Sequence, residues 1–401
     1  METPLASDSQ NIEKSPLENS LNEVTIPFIA GDGVGPDIWK ASEGVLQKAA
    51  NLIGKKINFI PVLAGEAAFK ATGSYLPIET LEQLKKYRVS LKGPLATPVG
   101  GGIRSLNVAI RQALDLYACI RPIKWIEGVP SPVKHPEKID MIIFRENTED
   151  VYAGLEWPAG SNEANSLINF AHLELNAKIR EGSAIGLKPM SAYGSKRLVR
   201  MAIKWALREK RPTLTLVHKG NIMKFTEGAF RAWGYEVAAE EFEGFTIPEE
   251  KLSLSQQEKQ NLLVINNRIA DNMFMQTLLR PEEYSVLAMP NLNGDYLSDC
   301  LAGQIGGLGL APGANIGDDL AVFEATHGTA PKYAGLDKVN PTSLILSGAM
   351  MLEYLGWFEA SDKIKKALAK TFVSNLFTYD LARLAPGSQE IKCSEFGRAV
   401  A

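Results

Sequence analysis

The stretch "VTIPFIAGDGVGPDIWKASEGVLQKAANLIG", Val24 to Gly54, decides the fold class. "VTIPFIA" (24–30) is a short apolar run of the kind that forms a buried strand. From Pro36 the apolar residues recur at helical spacing, with proline at the start and Gly54 at the end of an amphipathic helix. A buried strand that turns directly into such a helix opens an α/β chain. The turn itself, "GDGVGPD" (31–37), has the spacing G-x-G-x-G and not the dinucleotide-binding G-x-G-x-x-G. No clear acid ends a second strand where that fingerprint needs one. "GGLGLAPG" (306–313) misses it as well. The expectation is an α/β fold with a tight strand-to-helix turn here and no standard Rossmann fingerprint.

The alternation continues outward. "KINFIPVLA", "RVSLKGP", "DMIIFREN", "TLTLVHKGN" and "YSVLAMP" read as strands. "SKRLVRMAIKWALREK" (195–210), "MKFTEGAFRAWG" (223–234) and "NRIADNMFMQTLLR" (267–280) read as helices, and the chain from Thr342 is helical with a break at Gly356. "IRSLNVAIRQALDLYACI" reads as a helix running into a strand. Residues 158–188 show no clear period and suggest an arm. Together these predict a largely parallel sheet.

A chain of 401 residues with 45% hydrophobic and 22% charged residues is an ordinary soluble globular protein. The net charge of −3, with no basic stripe, argues against a nucleic-acid or membrane partner. Cys119, Cys300 and Cys393 are odd in number and far apart, without a zinc or disulfide pattern, as in a reducing compartment. The first 22 residues are polar and acid-containing, and the first arginine is Arg88; they read as a disordered tail and not a targeting signal, which predicts a cytoplasmic protein. The uncharged stretch 300–317 is long, but its glycines, Gln304, Pro312 and Asn315 predict a packed, loop-rich region and not a membrane span.

Several residues carry candidate chemistry. "NLNGDYLSD" (291–299) sets Asp295 and Asp299 four apart, on one face if the segment is helical. Like charges at that spacing repel, which leaves open why the chain places them together; a helix-capping pair is one reading. "GGGIRSLNVAIRQ" (100–112) joins a glycine loop to Arg104, Ser105, Asn107 and Arg111. Arg121 and Arg145 close strands, and guanidinium groups there suit carboxylates or phosphates. Each of these alone could be a surface arginine or a helix cap. Lys219 ends a strand, where it could be solvated or a base. Tyr152 and His327 could equally be structural.

The motifs "GPLATPVGGGIRSLNVAIRQ", "FRENTEDVYAGLEW", "HKGNIMKFTEGAF", "NLNGDYLSD" and "FEATHGTAPKYAG" occur in that order. Together they resemble the isocitrate and isopropylmalate dehydrogenase family, most closely its bacterial-type NADP-dependent members, over residues 24–398. The resemblance implies an α/β sandwich with a non-Rossmann cofactor site. It implies a large domain (23–116 and 306–401), a small domain (117–149 and 192–305) and a dimerisation clasp (150–191). It implies NADP-dependent oxidative decarboxylation of isocitrate in the tricarboxylic acid cycle, with links to the glyoxylate bypass. Asp295 and Asp299 would bind magnesium or manganese, with Asp271 of the neighbouring protomer as third carboxylate. Arg111, Arg121, Arg145, Ser105 and Asn107 would bind substrate; the last two are polar where isopropylmalate enzymes need an apolar surface. Lys219, from the other protomer, would take the hydroxyl proton and Tyr152 would protonate the enol.

The cofactor expectations follow from the same likeness. His327, Gly328, Thr329, Ala330 and Asn340 match adenine, ribose and phosphate contacts. Lys332, Tyr333, Tyr379 and Arg383 match readers of the 2′-phosphate of NADP; NAD-using relatives have an aspartate at the position of Lys332, which would repel that phosphate. Thr97 matches a further cofactor contact, and Ala96 departs from the threonine of close relatives. The active unit would be a homodimer with shared sites, and a kinase acting on Ser105 would be a regulator. The alternatives are a sister enzyme for homoisocitrate or isopropylmalate, or a non-catalytic regulatory subunit; the latter should have lost Asp271, Asp295, Asp299, Lys219 or Tyr152, and all are present.

Overall fold

Eleven strands of this chain form one continuous sheet in a computed structural model that describes residues 22–96, 105–252 and 262–401. Thr97 and Arg104, and the tail up to residue 21, lie outside the described residues. The strands of the sheet are β1 Glu23–Ile29, β2 Lys56–Pro61, β3 Val89–Lys92, β4 Ala118–Lys124, β5 Asp140–Glu146, β8 Thr213–His218, β9 Thr246–Pro248, β10 Leu263–Ile269, β11 Val286–Met289, β12 Pro312–Ile316 and β13 Ala321–Ala325; β6 Glu156–Trp157 pairs with β7 Ile185–Gly186, and β14 Leu376–Phe377 with β15 Gln389–Glu390, outside it. The order across the sheet is β2-β1-β3-β13-β12-β4-β5-β11-β8-β10-β9.

Two parallel wings make up this sheet. The first, β2-β1-β3-β13, meets β12 antiparallel; β12 meets β4 antiparallel, and β4 meets β5 antiparallel. The second wing, β5-β11-β8-β10-β9, is parallel again and runs opposite to the first. Helices cover both faces, as parallel strands require. On one face of the second wing Ile142, Phe144, Leu214, Leu216 and Val286 pack under the helices Ala192–Arg208 and Glu227–Glu241. On the other face Met141, Ile143, Leu287 and Met289 pack under the helix Asn291–Gln304.

The opening glycine turn is tight because other backbone crowds it. A Cβ on Gly31 would lie 2.3 Å from the Pro94 carbonyl oxygen, and one on Gly33 would lie 2.1 Å from that of Thr329. Both glycines hold positive φ. Asp32 is buried and accepts the backbone N–H groups of Glu66 and Ala96, each at 2.8 Å. The turn is therefore a structural clamp between the loops that follow β3 and β13.

Three local expectations need correction. The patternless 158–188 contains the helix Asn162–Glu174, capped by Ser161, and pairs β6 with β7. Its apolar residues are scattered around the helix, with Phe170 and Leu173 exposed, so no clean period was visible. Residues 267–269 belong to β10, and the helix begins only at Ala270. Asn266, Asn267 and Arg268 disguised the strand end as polar. The loop-rich 300–317 holds the strand β12, which begins at Pro312, the strand position that proline tolerates. Among the described residues no helix is long and apolar enough to cross a membrane.

Candidate active site

The sheet register builds the floor of the site. Cross-strand partners share a face, and Lys92 pairs with Glu324 while Asn315, Cys119 and Arg145 align across β12, β4 and β5. Arg121 lies two residues beyond Cys119 and so faces the same way. This face is roofed by the helix Leu106–Ala113 on one side and Asn291–Gln304 on the other. Arg111, Arg121 and Arg145 are all buried there, Arg145 to 1% exposure. Glu324 anchors the first: Arg111 Nη2 and Lys92 Nζ each sit 2.8 Å from its carboxylate. Burial opposes ionisation of Glu324, but Lys92 and Arg111 win and hold its carboxyl far below the usual carboxylate range. Asn107 accepts from Lys92 at 2.9 Å, which turns its amide onto the same floor. Ser105 opens the helix and does not cap it.

The acids stand on the facing wall. Asn291–Gln304 is helical, so Asp295 and Asp299 are neighbours one turn apart. Arg145 Nη1 binds Asp295, and its Nε donates to Asn291 at 2.8 Å. Arg121 Nη1 donates to Ser298 at 2.5 Å and Asp299 at 3.2 Å. Tyr152 donates its hydroxyl to Asp295 at 2.6 Å, with the Arg145 guanidinium 4.9 Å from its ring centre. A Cβ at Gly294 would fall 2.6 Å from the Arg145 side chain, so the close approach of helix and arginine requires glycine.

The two acids differ electrostatically. For Asp295, burial raises the pKa but Arg145 and the Tyr152 hydroxyl outweigh it, and the group lies below its ordinary value. Asp299 lies above its ordinary value, through burial and its neighbour Asp295, with Arg121 only partly compensating. Tyr152 is pushed up to about 12, by burial and its bond to Asp295, and is protonated at neutral pH.

Asp271 and Lys219 form a separate pair. They follow β10 and β8, adjacent parallel strands, and Lys219 Nζ binds the Asp271 carboxylate on the surface. His218 steadies this corner: its Nδ1 accepts from Gly220 N–H at 2.9 Å and its Nε2 lies 3.1 Å from Asn267. Burial keeps His218 below its ordinary pKa, so the ring is neutral, with the proton on Nε2.

Carboxylate oxygens are the hard donors that magnesium and manganese prefer. Asp295 and Asp299 therefore suit half of such a site. Among the described residues no group of three His, Cys, Asp or Glu side chains is set to hold a metal within one chain. Asp271 does not join the other two in its own chain.

The nucleotide candidates gather beyond β13. His327 Nε2 is buried without a partner, while its Nδ1 meets the Gly328 carbonyl at 2.9 Å. A Cβ at Gly328 would meet nothing within 4 Å, so backbone is open to a ligand there. Thr329 accepts from Val34 N–H at 2.9 Å, and Ala330 holds a φ of 38°. Tyr333 and Tyr379 lie ring to ring at 5.0 Å, with Lys332 4.8 Å from the centre of Tyr333 and Lys338 5.6 Å from that of Tyr379. Arg383 bonds the Asp380 carbonyl, and Asn340 bonds the Asp380 carboxylate at 3.2 Å. This cationic, aromatic and glycine-open surface fits a phosphorylated nucleotide.

Three residues of the site escaped the sequence reading. Lys92 and Glu324 are opposite charges inside buried strands, and that placement was the available signal. Lys338 had none, being one surface lysine among many.

Comparison with known proteins fits this geometry. The family model described as isocitrate/isopropylmalate dehydrogenase matches residues 25–400. A protein of Archaeoglobus fulgidus named isocitrate dehydrogenase [NADP] is 55% identical, over 98% of this chain and 96% of its own. One of Pseudomonas aeruginosa with the same name is 52% identical, over 98% and 94%. The crystal structure of isocitrate dehydrogenase from Methylococcus capsulatus superposes with a TM-score of 0.78 at 36% identity, covering 94% of this chain and 98% of that one. With the motifs in order and the fold in common, this chain belongs to the isocitrate/isopropylmalate dehydrogenase family.

Proposed function

We propose that the protein is an NADP-dependent isocitrate dehydrogenase that converts isocitrate to 2-oxoglutarate and carbon dioxide, a step of the tricarboxylic acid cycle, in the cytoplasm. The observation that carries the reading is the floor of three buried arginines facing an acid pair one helical turn apart. A substrate with three carboxylates and a hydroxyl answers both halves of that arrangement. The polar Ser105 and Asn107 favour isocitrate over a sister substrate with an apolar substituent. The names of the full-length relatives support the choice of NADP.

The residues divide the work. Arg111, Arg121 and Arg145 hold carboxylates, and their burial keeps water from competing. Asp295 and Asp299, with Asp271 of a second protomer, would hold magnesium or manganese. Such an ion, when bound, would supply Lewis-acid polarisation of the C2 oxygen, and NADP would supply the hydride acceptor. Lys219 accepts the C2 hydroxyl proton, with Asp271 beside it. Tyr152 keeps its proton at neutral pH and donates it to the carbon that has lost carbon dioxide. Lys332, Tyr333, Tyr379 and Arg383 read the 2′-phosphate.

Asp271, paired with Lys219, does not group with Asp295 and Asp299 of its own chain, which supports sites shared across a homodimer. The exposed Phe225, between Lys219 and the following helix, supports a partner surface there. We divide the chain as large domain 23–116 and 306–401, small domain 117–149 and 192–305, and clasp 150–191. A phosphate on Ser105 would repel a substrate carboxylate from the floor. Intact-mass measurement on protein from its source cells checks this; unmodified chain in inactive preparations counts against it.

The whole reading is tested by assaying purified protein with magnesium against isocitrate, homoisocitrate and isopropylmalate, each with NAD and NADP. Turnover of isocitrate with NADP far above the other combinations is expected. Preference for another substrate would replace the assignment by that sister activity, and no turnover with any would favour a regulatory subunit.

A further inference from the structure

Glu227 is a fully buried acid, 1% exposed, that none of the roles above uses. It opens the helix Glu227–Glu241, and its two oxygens reach three segments of the chain. Oε2 accepts the backbone N–H of Lys219 and the side-chain amide of Asn293, the latter at 2.9 Å. Oε1 lies 3.1 Å from Lys188 Nζ. Lys188 also binds Asp150, a second acid at 1% exposure. Asp150 in turn accepts the N–H of Leu292 at 3.0 Å, in the first turn of the helix that carries Asp295 and Asp299. Asp150 holds a φ of 70°, an uncommon conformation for a residue with a side chain, which the surrounding bonds maintain.

Two buried acids on one lysine are expensive unless each bond is made. The network ties the loop bearing Lys219 to the helix bearing the acid pair, through a lysine from the arm 150–191. We propose that Glu227 is the positioning residue for Lys219: it fixes the backbone from which the proton acceptor projects, with Lys188 and Asp150 bracing it. This rests on the reading of Lys219 as the base. If Lys219 serves the partner's site, a change at Glu227 is felt in the opposite active site and not in its own.

The test begins with Glu227→Gln, which keeps the shape and removes the charge, and with Glu227→Gln/Lys188→Gln, which removes the charge of both partners. Each is checked first for dimer and for thermal melting. In the dimer that folds, kcat should fall about tenfold or more with the KM for isocitrate within about twofold, as for loss of an interaction made only in the transition state. A rise in KM with unchanged kcat overturns the proposal. Hybrid dimers then locate the effect. A Glu227→Gln protomer paired with an Asp295→Asn protomer contains one site with Asp295 intact and Lys219 braced by wild-type Glu227. About half the wild-type activity is expected from it; where the control hybrid below regains activity, a hybrid as slow as the Glu227→Gln homodimer means that Glu227 acts on its own helix, and overturns the proposal. A control hybrid of Lys219→Ala with Asp295→Asn separates the two ideas. If it regains activity, sites are shared; if it stays inactive, the shared-site reading fails, and the kcat and KM split alone decides the role of Glu227.

Discussion

Glu324 shows how one residue can hold a site together without touching the chemistry. It is an acid inside a sheet, with Lys92 and Arg111 on its two oxygens. Its folded pKa lies below its unfolded one, about 4.3 for a free glutamate. It therefore contributes stability that is fully present above that value and is lost as pH falls from there towards the folded pKa. Glu324→Gln should remove this acid-limb slope. It should also cost about 3–5 kcal/mol at neutral pH, because two buried cations lose their acid. Urea unfolding at neutral and acidic pH measures both; a neutral-pH loss below about 1 kcal/mol would mean that the cations find other partners. Tyr152 is the contrasting case, a residue whose proposed role runs through its proton. With the hydroxyl pushed up to about 12 it is a donor throughout the physiological range. Tyr152→Phe should lower kcat by about 10²–10⁴ while the KM for isocitrate changes little, since the proposed mechanism gives the carboxylates to the arginines. Steady-state kinetics decide; an equal loss in kcat and gain in KM would make it a binding residue instead.

At the scale of elements, the helix Asn291–Gln304 carries the metal expectation. Asp295→Asn removes one anionic oxygen from the ligand set. Wild-type protein should melt at a higher temperature with magnesium than without, by linkage, and the variant should lose most of that rise. An undiminished rise in Asp295→Asn would place the ion elsewhere. The loop after β13 carries the cofactor expectation. Lys332→Asp with Tyr333→Ile replaces a cation by an anion where a phosphate would sit. The ratio of kcat/KM for NADP over NAD should fall by about 10²-fold, a shift of about 2.7 kcal/mol. An unmoved ratio would give the 2′-phosphate to Tyr379, Arg383 and Lys338. These elements also mark what was legible. The strand and helix opening the chain was readable because period and punctuation agree there. The shared face of the acid pair was readable only on the condition that the segment is helical, which Asn291–Gln304 satisfies. The arm was not, since the helix Asn162–Glu174 keeps apolar residues on faces that its own chain leaves exposed. Nor was the meeting of Arg111, Arg121 and Arg145, which depends on the register of β4 and β5 and on the helix Leu106–Ala113 packing over Glu324, long-range properties that no local spacing records.

For the whole molecule, the question is what covers the arm. Leu173 is 81% exposed, Leu175 63% and Phe170 53%, all at the end of one helix, and Phe225 beside Lys219 is 92% exposed. Large exposed apolar side chains at the end of one helix mark an interaction surface. A second copy of the chain suits the reading in which Lys219 and Asp271 complete another protomer's site. Burying one leucine stabilises an interface by about 1.5–3 kcal/mol. In a symmetric dimer each substitution occurs twice, once from each protomer. Leu173→Asp also places a charge in the apolar contact, so dimer dissociation should strengthen by at least about 10²-fold. The folding of each protomer should be spared, because Leu173 makes little contact with its own core. Sedimentation velocity across a dilution series reads the association. Specific activity read on the same samples should fall in step with the dimer fraction. A Leu173→Asp monomer with full specific activity would sink the shared-site reading, because a complete site would then exist within one chain. A variant that stays dimeric and active would move the interface off the arm and leave its leucines for some other partner.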